Sequence, residues 1–299
     1  MQKAVKNKFQ VGLKGEFKAS DTSTKLQEDV KNKSDKKALK KELKALAQEI
    51  SELQHTLFAE DKRSLLLIFQ AMDAAGKDST IRAVFSRVNP AGCQVSSFKK
   101  PSSLELDHDF MWRSNIQAPE RGKIGIFNRS YYEESLVVRV HPNYLNYQRL
   151  SDLPETLDEP NLKEFWQDRF ESFNDYEKHL ARNGTLVLKF WLNVSKEEQK
   201  NRFLSRLDET EKNWKFSSDD LKERVLWDDY MHAYEALINN TSTEHAPWYA
   251  IPADDKLTMR VLVASTIVEN LRAMKPQFPE VDKKESEQFD EMRRLLESE

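Results

Sequence analysis

The sequence predicts an α/β fold in which a five-stranded parallel sheet is sandwiched by helices. Three observations carry this. Five short apolar runs alternate with longer segments of helical period, the order that builds βαβ units. The runs are apolar throughout rather than alternating, which suits strands covered on both faces. With 7 Gly and 10 Pro in 299 residues and 32% charged side chains, the chain suits solvated helix faces, not a turn-dense all-β or low-complexity protein.

The elements follow in order. Residues 1–33 are polar and lysine-rich without period, and read as a flexible or draped arm. Leu39, Leu43, Leu46, Ile50, Leu53 and Leu57 recur at spacings of 4 and 3, an amphipathic helix with Ser34 as its N-cap. That extra N-terminal helix packs either on the core or on another subunit. The strand candidates are 65–69, 93–98, 123–127, 186–192 and 248–251. Helical patterns cover 79–88, 104–116, 162–180, 196–207, 221–238 and 257–274, and 275–299 is a charged peripheral tail. The division is therefore an arm and helix over 1–60, one domain over 61–274 and the tail.

Lys+Arg is 47 against Asp+Glu 50, a net charge of −3, which argues against a protein that coats nucleic acid. Cys93 is alone, so neither a disulfide framework nor a cysteine-cluster metal site can form. No apolar run reaches the about 18 residues of a membrane helix, and the N-terminus lacks a secretory h-region. A reducing, cytoplasmic setting without membrane or nucleic-acid partners is expected.

The most informative segment runs from the first strand through Gln70-Ala71-Met72-Asp73-Ala74-Ala75-Gly76-Lys77-Asp78-Ser79 into a helix. Phosphate binding needs this order. Small residues (Ala74, Ala75, Gly76) let backbone N–H groups converge, Lys77 adds a point charge, and the helix N-terminus, with Asp78 and Ser79, adds its partial positive charge. Against G-x-x-x-x-G-K-[ST] the segment departs twice: Ala71 replaces the first glycine, and Asp78 stands where the metal-binding hydroxyl would be. Asp73 inside the loop would be repelled by phosphates unless a cation lay between them, which makes it a candidate Mg²⁺ ligand. The bare match is weak, and a strand–turn–helix with Gly76 as a tight turn remains the alternative.

The third strand ends in Asn128-Arg129, and Arg129 suits a bidentate phosphate clamp in the crevice at the strand ends, the alternative being the start of a solvated helix. Ser195 and Glu198 form a capping box that opens a helix carrying Arg202 and Arg206 four apart. Lys212 and Lys215 follow in a basic turn, and a second helix starts at 217–220. This resembles the mobile lid of small P-loop kinases, expected at about 196–224; an ordinary charged helix pair is the alternative. Arg113, after the acidic and aromatic residues 107–112, is a candidate phosphate contact. Asp254, in the loop after the fifth strand, could approach a purine or simply cap the last helix. His141, His179, His232 and His245 show no spacing that suits catalysis or metal binding.

Residues 70–81, 88–92, 106–113, 125–134 with 137–142, 211–216 and 246–256 together resemble the polyphosphate kinase 2 family, and the Arg129–Glu134 and Val138–Pro142 blocks most resemble its class III members. The resemblance spans roughly 61–274. It implies a P-loop kinase-like fold with a helical lid, and Mg²⁺-dependent transfer between inorganic polyphosphate and nucleotides, with AMP and ADP as acceptors and ATP as product. It implies that Asp73 helps hold Mg²⁺, that Lys77 and Arg129 act on phosphate, and that Arg202, Arg206, Lys212 and Lys215 face the polymer. Asn128, Glu133 and Asp254 are the candidates on the nucleotide side, although Asn128 departs from members with Asp there. A homo-oligomer is also implied. Two other readings stay open on the residues: an ATP-dependent nucleoside monophosphate kinase, and a non-catalytic P-loop module binding nucleotide or polyanion.

Overall fold

A computed structural model describes residues 3–13, 15–26 and 33–299. Helix α1 spans Lys33–Glu60, strand β1 Ser64–Gln70, α2 Lys77–Val84 and β2 Cys93–Ser97. Two single turns, α3 (Ser103–Leu106) and α4 (Trp112–Asn115), precede β3 (Ile124–Asn128) and a third, α5 (Val137–Val140). Then come α6 (Lys163–Arg182), β4 (Thr185–Asn193), α7 (Lys196–Asp208), α8 (Ser218–Val225) and α9 (Trp227–Thr241). Strand β5 (Trp248–Pro252), α10 (Lys256–Met274) and α11 (Lys283–Glu297) complete the chain.

The sheet is parallel throughout, in the order β2-β3-β1-β4-β5. β1 and β4 are buried at every position, so their continuous apolar runs are explained by helices on both faces. β2 differs from expectation. It is an edge strand, with Gln94 and Val95 exposed, so the sheet is covered on both faces only from β3 onward. Because β1 lies between β3 and β4 while the chain passes from β1 to β2 on one side and to β4 on the other, a crevice opens at the carboxyl ends of β1, β3 and β4.

α1 begins at Lys33, so Ser34 lies inside its first turn instead of capping it. Its buried stripe of Ala47, Ile50 and Leu57 packs along α10, which favours the core role for this helix. The expected helix over 104–116 is two single turns. Asp109 ends the continuity, its carboxylate accepting the Met111 N–H at 2.9 Å. The expected helix over 221–238 breaks at Leu226 between α8 and α9. Residues 283–297 of the charged tail form a helix with no buried side chain.

The described part of residues 3–26 is draped over the β5 edge. The Val11 N–H donates to the Trp248 carbonyl and the Ala250 N–H to the Phe9 carbonyl, both at 2.9 Å, and Gln10 bridges antiparallel to Tyr249. Among the described residues, no helix is long and apolar enough to cross a membrane.

Candidate active site

The crevice is built first by the loop between β1 and α2. Gly76 has φ 105°, which an L side chain resists, and Ala74 has φ 60° despite its Cβ. Ala74 and Arg129 (φ 63°) are both non-glycine residues in the left-handed region, and both stand at this crevice. Such strain persists where surrounding contacts over-determine it. Lys77 opens α2 and folds back so that its ammonium donates to the Ala71 carbonyl at 2.7 Å. Burial, then the Arg129 guanidinium, hold the Lys77 pKa below the usual lysine range, and the carboxylates of Asp73, Glu133 and Asp78 partly offset them. The Ser79 hydroxyl bonds back to the Gly76 carbonyl at 3.0 Å.

β3 delivers the facing groups. Its register sets Asn128 beside Phe69, and the Arg129 N–H donates to the Phe69 carbonyl at 3.0 Å. The Arg129 guanidinium donates to Asp73 Oδ1 at 2.8 Å and lies 3.5 Å from Glu133 Oε2. Glu133 and then Asp73 raise its pKa further, so it is a permanent cation. The Asn128 amide donates to Asp78. The structure thus brings Asp73, Lys77, Asp78, Asn128, Arg129 and Glu133 together around the loop of Ala74, Ala75, Gly76 and Ser79.

Under this cluster lies a buried ion pair that no local sequence pattern announces. Lys189 of β4 donates to Glu177 Oε2 of α6 at 2.7 Å, and neither side chain is exposed to solvent. The hydroxyls of Tyr131 and Tyr132 donate to the other oxygen of Glu177. This anchors the turn over 131–134 that carries Glu133 and follows Arg129.

α7 approaches from the other side. The Ser195 hydroxyl accepts the Glu198 N–H at 3.1 Å, while the Glu198 carboxylate turns to Arg202 instead of completing the capping box. Gln199, not singled out in the sequence, donates to the Asp73 carbonyl at 2.9 Å and accepts from Arg224 of α8 at 2.7 Å. Arg206 pairs with Asp220 at 3.1 Å, and burial and then Asp73 raise the Asp220 pKa. Lys212 pairs with Glu209, and the exposed Lys215 lies 5.0 Å from the Trp214 ring centroid.

Three expected ligand contacts are placed differently. Arg202 is buried, with every N–H engaged. Nε donates to Glu198 (2.7 Å), Nη1 to the carbonyls of Ala75 (2.6 Å) and Ala74 (3.2 Å), and Nη2 to those of Ala253 (2.6 Å) and Asp254 (3.0 Å). It ties the phosphate loop to the β5–α10 connection and has no donor left for a polymer. Arg113 is buried against Glu134 at 3.5 Å and donates to the Lys99 carbonyl at 2.7 Å, because Glu134 needs counter-charge from Arg113 and Arg169. Asp254 is buried, accepting from the Ser195 N–H at 2.7 Å and the Thr24 hydroxyl at 3.0 Å, so it joins α7 to the arm instead of facing a purine. The cap of α10 is Asp255.

Among the described residues, no three His, Cys, Asp or Glu side chains gather as a metal site. Mg²⁺ needs less: one or two carboxylates, the rest of its shell being phosphate oxygens and water. Asp73 and the exposed Asp78 meet that requirement at the mouth of the loop.

The strand order, with a strained loop feeding a helix N-terminus at the switch point, defines a P-loop kinase-type fold. A model of the polyphosphate kinase 2 family matches residues 33–279, and the chain belongs to this family. It is 50% identical over 254 residues to an ADP-polyphosphate phosphotransferase of Rhodopseudomonas palustris, covering 85% of this chain and 86% of that one. It is 44% identical over 247 residues to an AMP/ADP-polyphosphate phosphotransferase of Meiothermus ruber, covering 82% and 85%. The crystal structure of polyphosphate kinase 2 from Arthrobacter aurescens superposes with a TM-score of 0.84 at 35% identity, covering 99% of this chain and 100% of that one.

Proposed function

We propose that this protein moves the terminal phosphoryl of inorganic polyphosphate onto AMP and ADP in a Mg²⁺-dependent, reversible reaction that yields ATP. The observation that carries the reading is the convergence of Asp73, Lys77 and Arg129 at the ends of β1 and β3 in a member of this family. The names of the two relatives support polyphosphate as donor and AMP and ADP as acceptors.

Phosphoryl transfer demands positioning and charge neutralisation more than covalent chemistry. The acceptor is a nucleotide phosphate oxygen, already ionised near neutral pH, so no strong general base is needed. The loop amides and the Lys77 ammonium hold the transferring phosphoryl, and Arg129, steered by Asp73 and Glu133, neutralises charge on its equatorial oxygens. Asp73, with Asp78 beside it, would hold Mg²⁺, which would supply further neutralisation of phosphate charge. Residues 196–224 act as the lid, linked to the loop through Gln199 and Arg202. Closure of such a segment excludes water from the transfer.

The test is ATP formation from ADP, and separately from AMP, with polyphosphate and Mg²⁺ and no added ATP. ATP from both acceptors is expected. Failure with both, while added ATP phosphorylates AMP, would select an ATP-dependent monophosphate kinase instead.

A further inference from the structure

Helix α7 holds the phosphate loop by its carbonyls. Gln199 donates to the Asp73 carbonyl at 2.9 Å, and one turn further on Arg202 donates to those of Ala74 at 3.2 Å and Ala75 at 2.6 Å. In a trans peptide the C=O and the next N–H point in opposite directions. Donors that draw these carbonyls toward α7 therefore turn the N–H groups of Ala74, Ala75 and Gly76 away from it. The Ala75 N–H is taken by the Met72 carbonyl at 3.3 Å, while those of Ala74 and Gly76 have no acceptor among the described residues. Free N–H groups beside a helix N-terminus and Lys77 are the donors an anion needs. Ala74 is held at φ 60°, a conformation that its neighbours must impose.

Gln199 and Arg202 differ in what stands behind them. The other donors of Arg202 go to Glu198 on its own helix and to the β5–α10 connection, so it is fixed to the body of the fold. The other end of Gln199 meets the lid. Its Oε1 accepts from Arg224 of α8 at 2.7 Å, and Arg224 also donates to the Lys196 carbonyl at 2.7 Å. Gln199 is buried, and only one orientation of its amide serves both partners, because the reverse would set two acceptors together at Asp73. α8 has no buried side chain. It is docked by polar ties: Arg224 to Gln199, Asp220 to Arg206 at 3.1 Å, and Glu223 to His141 at 2.8 Å and Tyr230 at 2.7 Å. An element held without apolar burial undocks at low cost.

We propose that Gln199 is a positioning residue that couples the docking of α8 to the setting of the phosphate loop. With α8 docked, Arg224 holds the amide so that its N–H fixes the Asp73–Ala74 peptide and turns the Ala74 N–H toward a phosphate. With α8 away, the amide and the peptide are both released. The same peptide carries the Asp73 side chain, whose Oδ1 steers Arg129, so its release disturbs both sides of the site. This coupling rests on the reading of the loop as the phosphate site. Coupling is reciprocal: an anion that fixes the loop favours docked α8 by the factor with which docked α8 favours the anion. Gln199 itself touches no substrate.

The test compares the wild type with Gln199→Leu, Arg224→Met and the double variant, using ADP and polyphosphate. Gln199→Leu should lower kcat about tenfold to a hundredfold, the cost of a small misplacement of the reacting groups, with a much smaller change in KM for ADP. Arg224→Met should lower kcat in the same direction, and the double variant should fall no further than Gln199→Leu, because both changes act through one amide. Gln199→Glu still accepts from Arg224 but cannot donate to the Asp73 carbonyl, so it should lose as much as Gln199→Leu. A second readout needs no turnover. Tripolyphosphate should slow amide hydrogen exchange over 218–225 about fivefold or more in the wild type, and far less in Gln199→Leu. Thermal unfolding checks the fold, and Arg224→Met, a half-buried change, carries the exchange measurement if Gln199→Leu does not fold. Additive losses in kcat, a near-normal Gln199→Glu, or equal protection of α8 in wild type and variant would overturn the coupling and leave the parent activity standing. Protection lost in the variants while the wild type turns over no polyphosphate would overturn the parent reading and leave the coupling standing.

Discussion

Lys77 is poised by opposing influences. Burial and Arg129 push its proton off, and Asp73, Glu133 and Asp78 hold it on. An incoming phosphate adds negative charge beside it and strengthens the ammonium form when substrate binds. Removing one preorganised donor of this kind costs about 10²–10³ in kcat. Lys77→Ala should lose at least that much with an unchanged circular dichroism spectrum, and near-normal turnover would show that the loop does not hold the transferring phosphoryl. Arg202 has the contrary character. Its five N–H groups serve the protein itself, so Arg202→Ala should lower the unfolding free energy by about 3 kcal/mol, the cost of breaking a buried charge network. Urea denaturation measures this. A change in polyphosphate KM with intact stability would return Arg202 to the polymer.

At the scale of elements, the site depends on β4 and α6, neither of which carries a residue of the Asp73, Lys77 and Arg129 cluster. Lys189 and Glu177 are each fully buried and hold the Tyr131-Tyr132 turn behind Arg129. Glu177→Gln leaves the Lys189 ammonium without its counter-charge and should destabilise by about 3–5 kcal/mol, whereas Lys189→Met with Glu177→Leu should recover much of that loss. Unfolding titrations of the two variants check it, and equal destabilisation would mean that the hydrogen bonds to the tyrosines, not the charge, carry the energy. These elements also show what was legible in the sequence. Four of the strands were, because burial on both faces forces continuous apolar runs, while the edge strand β2 has no such cover. The loop was, because small residues, glycine and lysine must be contiguous to wrap a phosphate. Gln199, Glu177 and the acceptors of Arg202 were not. Their meaning lies in tertiary contacts between separate elements, across 126 residues for Gln199 with Asp73 and 46 for Glu177 with Tyr131, and an arginine on a helix face reads the same whether it meets a ligand or four carbonyls. The helix expected over 104–116 failed for a local reason, since the Asp109 carboxylate takes the Met111 N–H two residues on and offers the backbone a turn in place of a helix.

For the molecule as a whole, an open parallel sheet leaves two edges, and they are treated unequally. β2 is a five-residue strand whose exposed positions are Gln94, Val95 and Ser97, a short edge that offers little to another chain. β5 is wholly buried, and it is buried by the arm: Phe9, Gln10 and Val11 pair with it, and Phe17 packs edge-on against Trp191 at 5.5 Å between ring centroids. The arm is also fastened at intervals, by the Val5 N–H to Asn270, the Phe17 N–H to Asn239 and the Ala19 N–H to Glu235, all within 2.8–2.9 Å. Without it, β5 would present unpaired N–H and C=O groups flanked by Trp248 and Tyr249, the kind of apolar edge that templates association. Deleting residues 1–26 should therefore lower the midpoint of thermal unfolding and produce light scattering at protein concentrations where the full chain stays clear. The kcat of the fraction that remains dispersed should fall less than in Lys77→Ala, because the described part of the arm is joined to the surroundings of the site through Asp254 and Asn193 and touches neither Lys77 nor Arg129 by a hydrogen bond. A deletion that stays dispersed with an unshifted midpoint would show that the β5 edge needs no cover.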